Sequence, residues 1–285
     1  MKTILDMLRK STTTAKIGLF IVLVWILCAV FAPFISPYDP EAVDIMQRMK
    51  PPAWQDGGSM EHVLGTDEMG RDVLSRLIYG ARISLVIGVC SVVVGMTIGV
   101  VLGLLAGYIG GWVDAVIMRL VDMMLAFPFT FLALCLVAVL GSSLENVIIV
   151  LGITGWASYT RTVRAQVLSV REREFIRASM TIGCKDGRVL FKHILPSVID
   201  SAIILATMEM GSAILSEASL TFLGMGVPPS IPTWGNMISS GRQYIYTAWW
   251  LTTLPGLAIF IVCLGINFIG DWARDIRDPR LRGVK

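Results

Sequence analysis

Charge is scarce in this chain, and so are the residue types that hold metals or phosphates. Charged side chains make up 16% of the 285 residues and hydrophobic ones 55%, more apolar surface than one soluble core needs. That balance points to lipid as solvent. Histidine occurs only as His62 and His193, too far apart in sequence to suggest a zinc site, so no metal is expected. The five cysteines form no C-x-x-C pair. Cys28, Cys90, Cys135 and Cys263 fall within apolar runs and Cys184 within a basic loop, so they read as small hydrophobes. No lysine follows a glycine, which excludes a phosphate-cradling G-x-x-x-x-G-K-[ST] loop, so no P-loop ATP site is expected in this chain. Neither a catalytic site nor a cofactor of its own is expected. The net charge of +3 is modest, and the basic residues gather in blocks beside apolar runs rather than along one face, which speaks against nucleic acid as a partner.

Long apolar runs are what the chain does have. The first, residues 17–35, carries no charge and matches a hydrocarbon core of roughly 30 Å. It is long for a signal-peptide core and lacks a convincing small-residue cleavage site, so a retained anchor is expected. Further runs occupy residues 83–108, 113–140, 144–159, 198–223 and 250–269. The fourth is the weakest, because Glu145 and Asn146 leave few cleanly apolar residues before Arg161; its helix is expected to continue past the membrane, with Arg161 and Arg164 snorkelling at the interface. Trp249 and Trp250 stand where an aromatic belt would.

Six spans place both termini on one side, and both are basic: Lys2, Arg9, Lys10 and Lys16 at one end, Arg274, Arg277, Arg280, Arg282 and Lys285 at the other. The positive-inside rule puts both in the cytoplasm. The same parity puts the segment between spans four and five inside, where it holds Arg161, Arg164, Arg171, Arg173, Arg177, Lys185, Arg188 and Lys192. The outside loop, residues 36–82, carries five basic residues, but it is long enough to translocate regardless of charge. The expected organisation is a cytoplasmic N-terminus (1–16), a first span (17–35), an extracytoplasmic loop with an amphipathic helix (36–82), a five-helix core (83–270) containing a cytoplasmic loop (161–196), and a cytoplasmic tail (271–285).

Within the second span Gly95, Gly99, Gly103, Gly107 and Gly111 recur every four residues, with Ser91 one step earlier. This extended small-residue face lets another helix backbone approach closely, replacing the driving force that lipid cannot supply. Ionisable residues near or within spans are Asp114, Arg119 and Asp122 in the third and Glu209 and Glu217 in the fifth. Arg119 and Asp122, three apart, are placed to pair on a helix. Glu209 and Glu217 are deeper; they line a pathway or make polar contacts with a partner helix.

In the cytoplasmic loop, Phe175, Ile176 and Met180 alternate with Arg173, Arg177 and Ser179 at helical spacing, so a short amphipathic helix is expected from Glu174 to Met180. Gly183 supplies a turn, and a second short segment runs from Asp186-Gly187 to His193-Ile194-Leu195-Pro196, with Pro196 marking a break ahead of span five. Two short helices joined at a glycine make a docking lever for a soluble partner; an interfacial helix on anionic lipid is the plainer alternative.

This segment resembles the cytoplasmic loop motif of ABC-importer permeases, usually E-A-A, three residues, Gly, nine residues, I-x-L-P. Here Arg177-Ala178-Ser179, Gly183 and His193-Ile194-Leu195-Pro196 stand at the matching spacing, with Arg177, Ser179 and His193 departing from the pattern. The stretch His62-Val63-Leu64-Gly65-Thr66-Asp67-Glu68-Met69-Gly70-Arg71-Asp72-Val73-Leu74-Ser75-Arg76 is similar to the signature before span two in one of the two paralogous permeases of the dipeptide, oligopeptide and nickel family. Thr66 can cap a helix carrying Asp67 and Glu68 in its first turn, with Leu74, Leu77, Ile78 and Ala81 as its apolar stripe, lying against the membrane or a partner permease. Similar to the family as well are Ser216-Glu217-Ala218-Ser219-Leu220-Thr221-Phe222-Leu223-Gly224 with the prolines and Trp234-Gly235 that follow, and the tail Gly270-Asp271-Trp272-Ala273-Arg274-Asp275 with Asp278-Pro279-Arg280-Leu281.

The resemblance implies an all-α fold of the type I ABC importer permease kind in the inner membrane. It also implies a sister permease forming a heterodimer, two ATP-binding subunits that use ATP and magnesium, and an extracytoplasmic solute-binding protein. Within that picture the loop residues Glu174, Arg177, Ala178, Ser179, Gly183, Asp186, His193, Leu195 and Pro196 form the coupling site. Peptides, short or longer, lead as cargo, with glutathione-like tripeptides and metal chelates such as nickel's also open. The rival from another class is a proton-coupled secondary transporter using Glu209, Glu217, Asp114 and Asp122 as relay carboxylates, although no inverted internal repeat is visible. A membrane scaffold that binds a cytosolic protein through the basic loop is a third reading.

Overall fold

The computed structural model describes residues 12–277, for the side chain of Arg277 excepted. The expected cytoplasmic cations Lys2, Arg9, Lys10, Arg280, Arg282 and Lys285, and the Asp278-Pro279-Arg280-Leu281 stretch, lie outside the described residues. The described chain is helical, with one isolated bridge, Thr66 to Asp72. The main helices are α1 (Thr13–Val30), α2 (Val73–Ile109), α3 (Gly111–Ala126), α4 (Phe129–Leu140), α5 (Leu144–Arg171), α6 (Glu174–Thr181), α7 (Asp186–Val189), α8 (Leu195–Phe222), α9 (Trp234–Gly241) and α10 (Trp250–Arg277). Among the described residues four helical stretches are long and apolar enough to cross a membrane: α1, α2, the run from Asp186 to Phe222, and Trp250–Ile276; a bent pair makes a fifth. Their outward faces carry large apolar side chains, Phe20, Phe131 and Phe260 among them, as lipid-facing helices require.

Three expectations are corrected by the local chemistry. The third run, expected to be one span over 113–140, is two helices, α3 and α4, bent by 95°. Pro128 disfavours helical backbone at Phe127, which is extended with ψ 136°. Pro196 does not break the chain ahead of span five. It lies in the first turn of α8, and the disturbance sits just before it as a π-turn, Leu190–Ile194, in which the Leu195 N–H reaches back five residues to the Leu190 carbonyl. A proline ring clashes with the carbonyl four residues earlier, and widening that turn by one residue relieves the clash without ending the helix.

The third correction concerns the helix placed after Thr66. Helix α2 starts at Val73, with Asp72 as its cap accepting from the Ser75 N–H at 2.8 Å, and it runs without interruption to Ile109. At about 1.5 Å per residue it is some ~55 Å long, so the expected amphipathic helix is its first turns. Ala81 and Ile78 face inward, where the α9 Trp234 indole donates to the Leu77 carbonyl at 3.0 Å. Residues 66–72 form a closed turn instead. Asp67 Oδ1 accepts from the Met69 and Arg71 N–H groups at 2.8 and 3.0 Å, and Gly70 (φ +75°) lies so close to the Asp44 carbonyl that a Cβ would stand 1.6 Å from its oxygen.

The most extensive helix contact joins α2 to α5, and the glycine stripe makes it. A Cβ on Gly95 would lie 3.1 Å from the Gly152 carbonyl oxygen, on Gly99 2.4 Å from Tyr159 Cβ, and on Gly103 and Gly107 2.8 and 2.7 Å from Val163 and Val167 Cβ. Gly111 meets nothing; it starts α3. Helix α1 crosses α10 through Gly18 and Gly265 and adds Trp25, edge-on to Trp234 with ring centroids 5.1 Å apart. Helix α8 packs against α2, α5 and α10.

Candidate functional site

Two features stand out: a cavity within the helices and the loop between α5 and α8. The cavity, about 390 Å³ and open on one side, is lined by α2, α3, α4, α5 and α8. Along α8 its wall is Glu209, Ser212 and Ser216, spaced three and four residues apart and so on one helical face. Helix α5 adds Thr154, Ser158 and Tyr159, α2 adds Ser91 and Gly95, and the bend at residues 127–129 supplies Phe127 and Phe129. The polar stripe on α8 was readable as an i, i+3, i+7 pattern in an apolar run, but Tyr159 and Ser91 carry no sequence signal that separates them from ordinary packing residues.

Of the two deep glutamates, the cavity takes only one. Glu217 is fully buried away from it; Thr221 donates to its Oε1 at 2.9 Å, and a Cβ on Gly235 of α9 would stand 3.1 Å from that oxygen. The shallower carboxylates are held by arginines of α5. Arg164 forms a two-pronged pair with Asp114, its Nη2 2.6 Å from Oδ2, and Arg161 Nη2 lies 2.8 Å from Asp122 Oδ1. Asp122 thus pairs across helices, not with Arg119 three residues away. Both ion pairs tie α3 to α5 at the end where α5 leaves the apolar zone.

The loop is anchored from below and free above. Ile176 of α6, Val189 of α7 and Ile194 are fully buried against Val163, Val167 and Val170 of α5 and Val198 and Ala202 of α8. The Tyr108 hydroxyl at the end of α2 donates to Asp186 at 2.6 Å, and Arg171 donates to the Tyr108 carbonyl at 3.0 Å. Between α6 and α7 Gly183 has φ +80° with open space around it, a left-handed conformation that glycine adopts without strain. The turn is closed by Gly183 N–H to Met180 O and Cys184 N–H to Ser179 O, at 3.0 and 3.1 Å.

Glu174, Arg177, Ala178, Gly183, Asp186 and Pro196 are exposed, while Ser179, His193 and Leu195 are half-buried. Arg177 pairs with Glu172, the Ser179 hydroxyl donates to the Phe175 carbonyl, and Ser197 caps the His193 carbonyl. The upper surface carries large apolar side chains, Ile182 80% and Phe191 68% exposed, beside Arg173, Arg177, Lys185 and Arg188. Apolar groups in water at the head of a rigid loop mark a protein-docking face.

A chain of the MetNI methionine ABC transporter, solved in inward facing conformations, superposes with a TM-score of 0.57 over 74% of this chain and 96% of that one at 20% identity, a likeness of fold. The chain belongs to the binding-protein-dependent transport system inner membrane component family, whose model matches residues 99–283, and residues 5–52 match the N-terminal TM domain of oligopeptide transport permease C. It is therefore an inner-membrane permease of the dipeptide, oligopeptide and nickel group. Among its relatives are the dipeptide transport system permease protein DppC of Escherichia coli strain K12, 47% identical over 96% of this chain and 91% of that protein, and the di/tripeptide transport system permease protein DppC of Pseudomonas aeruginosa, 45% identical over 94% and 88%.

Proposed function

We propose that this permease forms one half of the translocation pathway of an ATP-driven importer for dipeptides and related short peptides. Six spans, counting the bent pair and α5 as one each, place both termini and the loop 161–196 in the cytoplasm. A sister permease supplies the other half, two cytoplasmic ATP-binding subunits hold ATP and magnesium, and an extracytoplasmic binding protein delivers solute. The observation that carries this reading is the loop around Gly183, buried on one side against α5 and α8 and presenting Ile182, Phe191 and arginines on the other. The names of the relatives support the peptide cargo.

The loop's anchoring gives it its mechanical role. Because Ile176, Val189 and Ile194 plug between α5 and α8, a push on α6 cannot be absorbed by the loop and passes into both helices, which wall the cavity. ATP acts by binding one state of the assembly more tightly than the other, so its free energy enters as differential affinity. Gentle detergent extraction of the tagged chain, mass spectrometry of what co-elutes, and uptake of labelled dialanine by the recovered complex test this reading. P-loop ATPases and a second permease in fixed ratio, with uptake that needs ATP, uphold it. A chain that elutes alone and transports without ATP points to the carboxylate-coupled alternative, for which Asp114 and Asp122 are poorly suited because each is held by an arginine.

A further inference from the structure

The chain between α1 and α2 changes character along its length. The turn at residues 66–72 pairs its charges internally, whereas residues 37–63 direct theirs outward. Asp39, Glu41, Asp44, Asp56 and Glu61 are exposed there against one exposed cation, Arg48; Lys50 is half-buried. Among these carboxylates stand large apolar side chains, Met46 90%, Met60 80% and Trp54 59% exposed. Met49, Pro51, Trp54, Gln55 and Asp56 line an open groove of about 640 Å³ together with Thr247 and Trp250. Tyr246, beside Thr247 in sequence, is 99% exposed.

These side chains stand on a backbone that is held. The Met49 N–H donates to the Asp67 carbonyl at 3.0 Å, the Lys50 N–H to Thr66 Oγ1 at 2.8 Å, the Thr66 N–H back to the Lys50 carbonyl at 3.0 Å, and the Ala53 N–H to the Val63 carbonyl at 3.1 Å. The Trp250 indole ties Thr66 in turn to α10. A backbone fixed at so many points presents its side chains in one arrangement and loses little entropy when a partner binds. Tryptophan, tyrosine and methionine are enriched where proteins meet, and exposed apolar groups rimmed by charge mark such a contact.

The sign of the charge selects among partners. Anionic headgroups attract lysine and arginine and repel carboxylates, so a lipid surface does not fit. The extracytoplasmic loops of a second permease are poor in lysine and arginine by the positive-inside rule, and they supply little to answer five carboxylates. A soluble protein on that side of the membrane is under neither constraint.

We propose that residues 37–63, with Tyr246 beside the groove, form the docking surface for a soluble extracytoplasmic protein whose contact rim is rich in lysine and arginine; in an importer that is the solute-binding protein. The sidedness rests on the importer reading, while the polarity rests on the surface alone. Opposite charge across the contact speeds encounter and fixes register, and the aromatic and methionine tips supply the apolar contact.

The test starts in intact cells carrying the full chain in its native membrane, with the photo-crosslinker p-benzoylphenylalanine in place of Trp54 and, separately, of Tyr246. After irradiation, the cross-linked peptides are sequenced by mass spectrometry. They are expected to come from one soluble extracytoplasmic protein, at a site flanked by lysine or arginine. That protein, purified, is the probe in a second step, in which its association with the permease and its co-purifying subunits in nanodiscs is followed by biolayer interferometry. The triple variant Glu41→Gln, Asp56→Asn, Glu61→Gln changes exposed side chains only and should slow association about fivefold at low salt. At about 1 M salt, where the Debye length is about 3 Å, that difference should vanish. Association of the unmutated protein that ignores salt, or a triple variant that binds as fast, overturns the polarity. Cross-links confined to a second permease or to lipid overturn the surface however the variants behave, and they leave the importer standing if uptake still needs ATP. A basic-rimmed protein docked on a chain that recovers no ATPases upholds the surface and sinks the importer.

Discussion

The turn before α2, residues 66–72, and the connection before α8, residues 172–194, use their charges in opposite ways. In the first, charge is buried and spent internally. Arg76 is 2% exposed, with its Nε 3.6 Å from Asp67 Oδ2; Arg71 Nε reaches the same oxygen at 2.7 Å, and Arg71 also meets Glu68 at 3.2 Å. Asp72 caps α2 while His62 Nδ1 sits 2.9 Å away, and the whole turn is clasped to α10 by the Trp250 indole, which donates to the Thr66 carbonyl at 3.2 Å. In the second connection the charges face water and apolar pegs do the anchoring. A turn whose charges satisfy one another holds a shape, whereas charges left in water are free to meet a partner.

The largest effect expected on this contrast comes from Asp67→Ala, which strands Arg71 and Arg76 in the interior. Removing one member of a buried ion network typically costs about 3–5 kcal/mol, so thermal unfolding in mild detergent should fall sharply; an unchanged midpoint would show that the network is not structural. Next come two glycines with nearly the same backbone angle. Gly70→Ala drives a methyl group into the Asp44 carbonyl and should destabilise well beyond the left-handed strain itself. Gly183→Ala meets open space and should show only that strain, about 1–2 kcal/mol. If the two variants unfold alike, the packed-versus-free distinction between the loops is wrong.

A bulkier Gly183→Val should leave the helices assembled and uncouple ATP hydrolysis from uptake, measured side by side in proteoliposomes; normal uptake would remove the lever from the mechanism. Smallest in stability and most specific in effect is the double change Ile182→Ser with Phe191→Ser. Both residues are exposed, so unfolding should shift by no more than about 0.5 kcal/mol, while recovery of ATPase subunits in a pull-down should drop several-fold. Retained recovery would move the docking face elsewhere on the loop.

Much of this was legible in one dimension. The glycines at 95, 99, 103 and 107 announce a close helix approach, because a four-residue period puts them on one face whatever the partner. The α6 helix beginning at Glu174 and the turn at Gly183 follow from apolar spacing and a residue without Cβ. The partner of the stripe, α5, was not legible, since its own face is Tyr159, Val163 and Val167, which any apolar helix offers. Nor was the pairing of Asp122 with Arg161: helical spacing favours Arg119, and only the packing of α3 on α5 brings the other arginine closer.

Composition and periodicity determined that the chain lives in lipid, where its apolar runs lie and which loop is basic, because those depend on transfer free energy and on which side chains share a face. Tertiary structure decided what separates Glu209 from Glu217. Both are glutamates in the same apolar helix, eight residues apart and therefore about 80° apart around it, yet one faces a cavity and the other Thr221 and α9. A rotation of that size leaves no mark in the weak hydrophobic periodicity of this helix, and it settles which carboxylate lines the cavity.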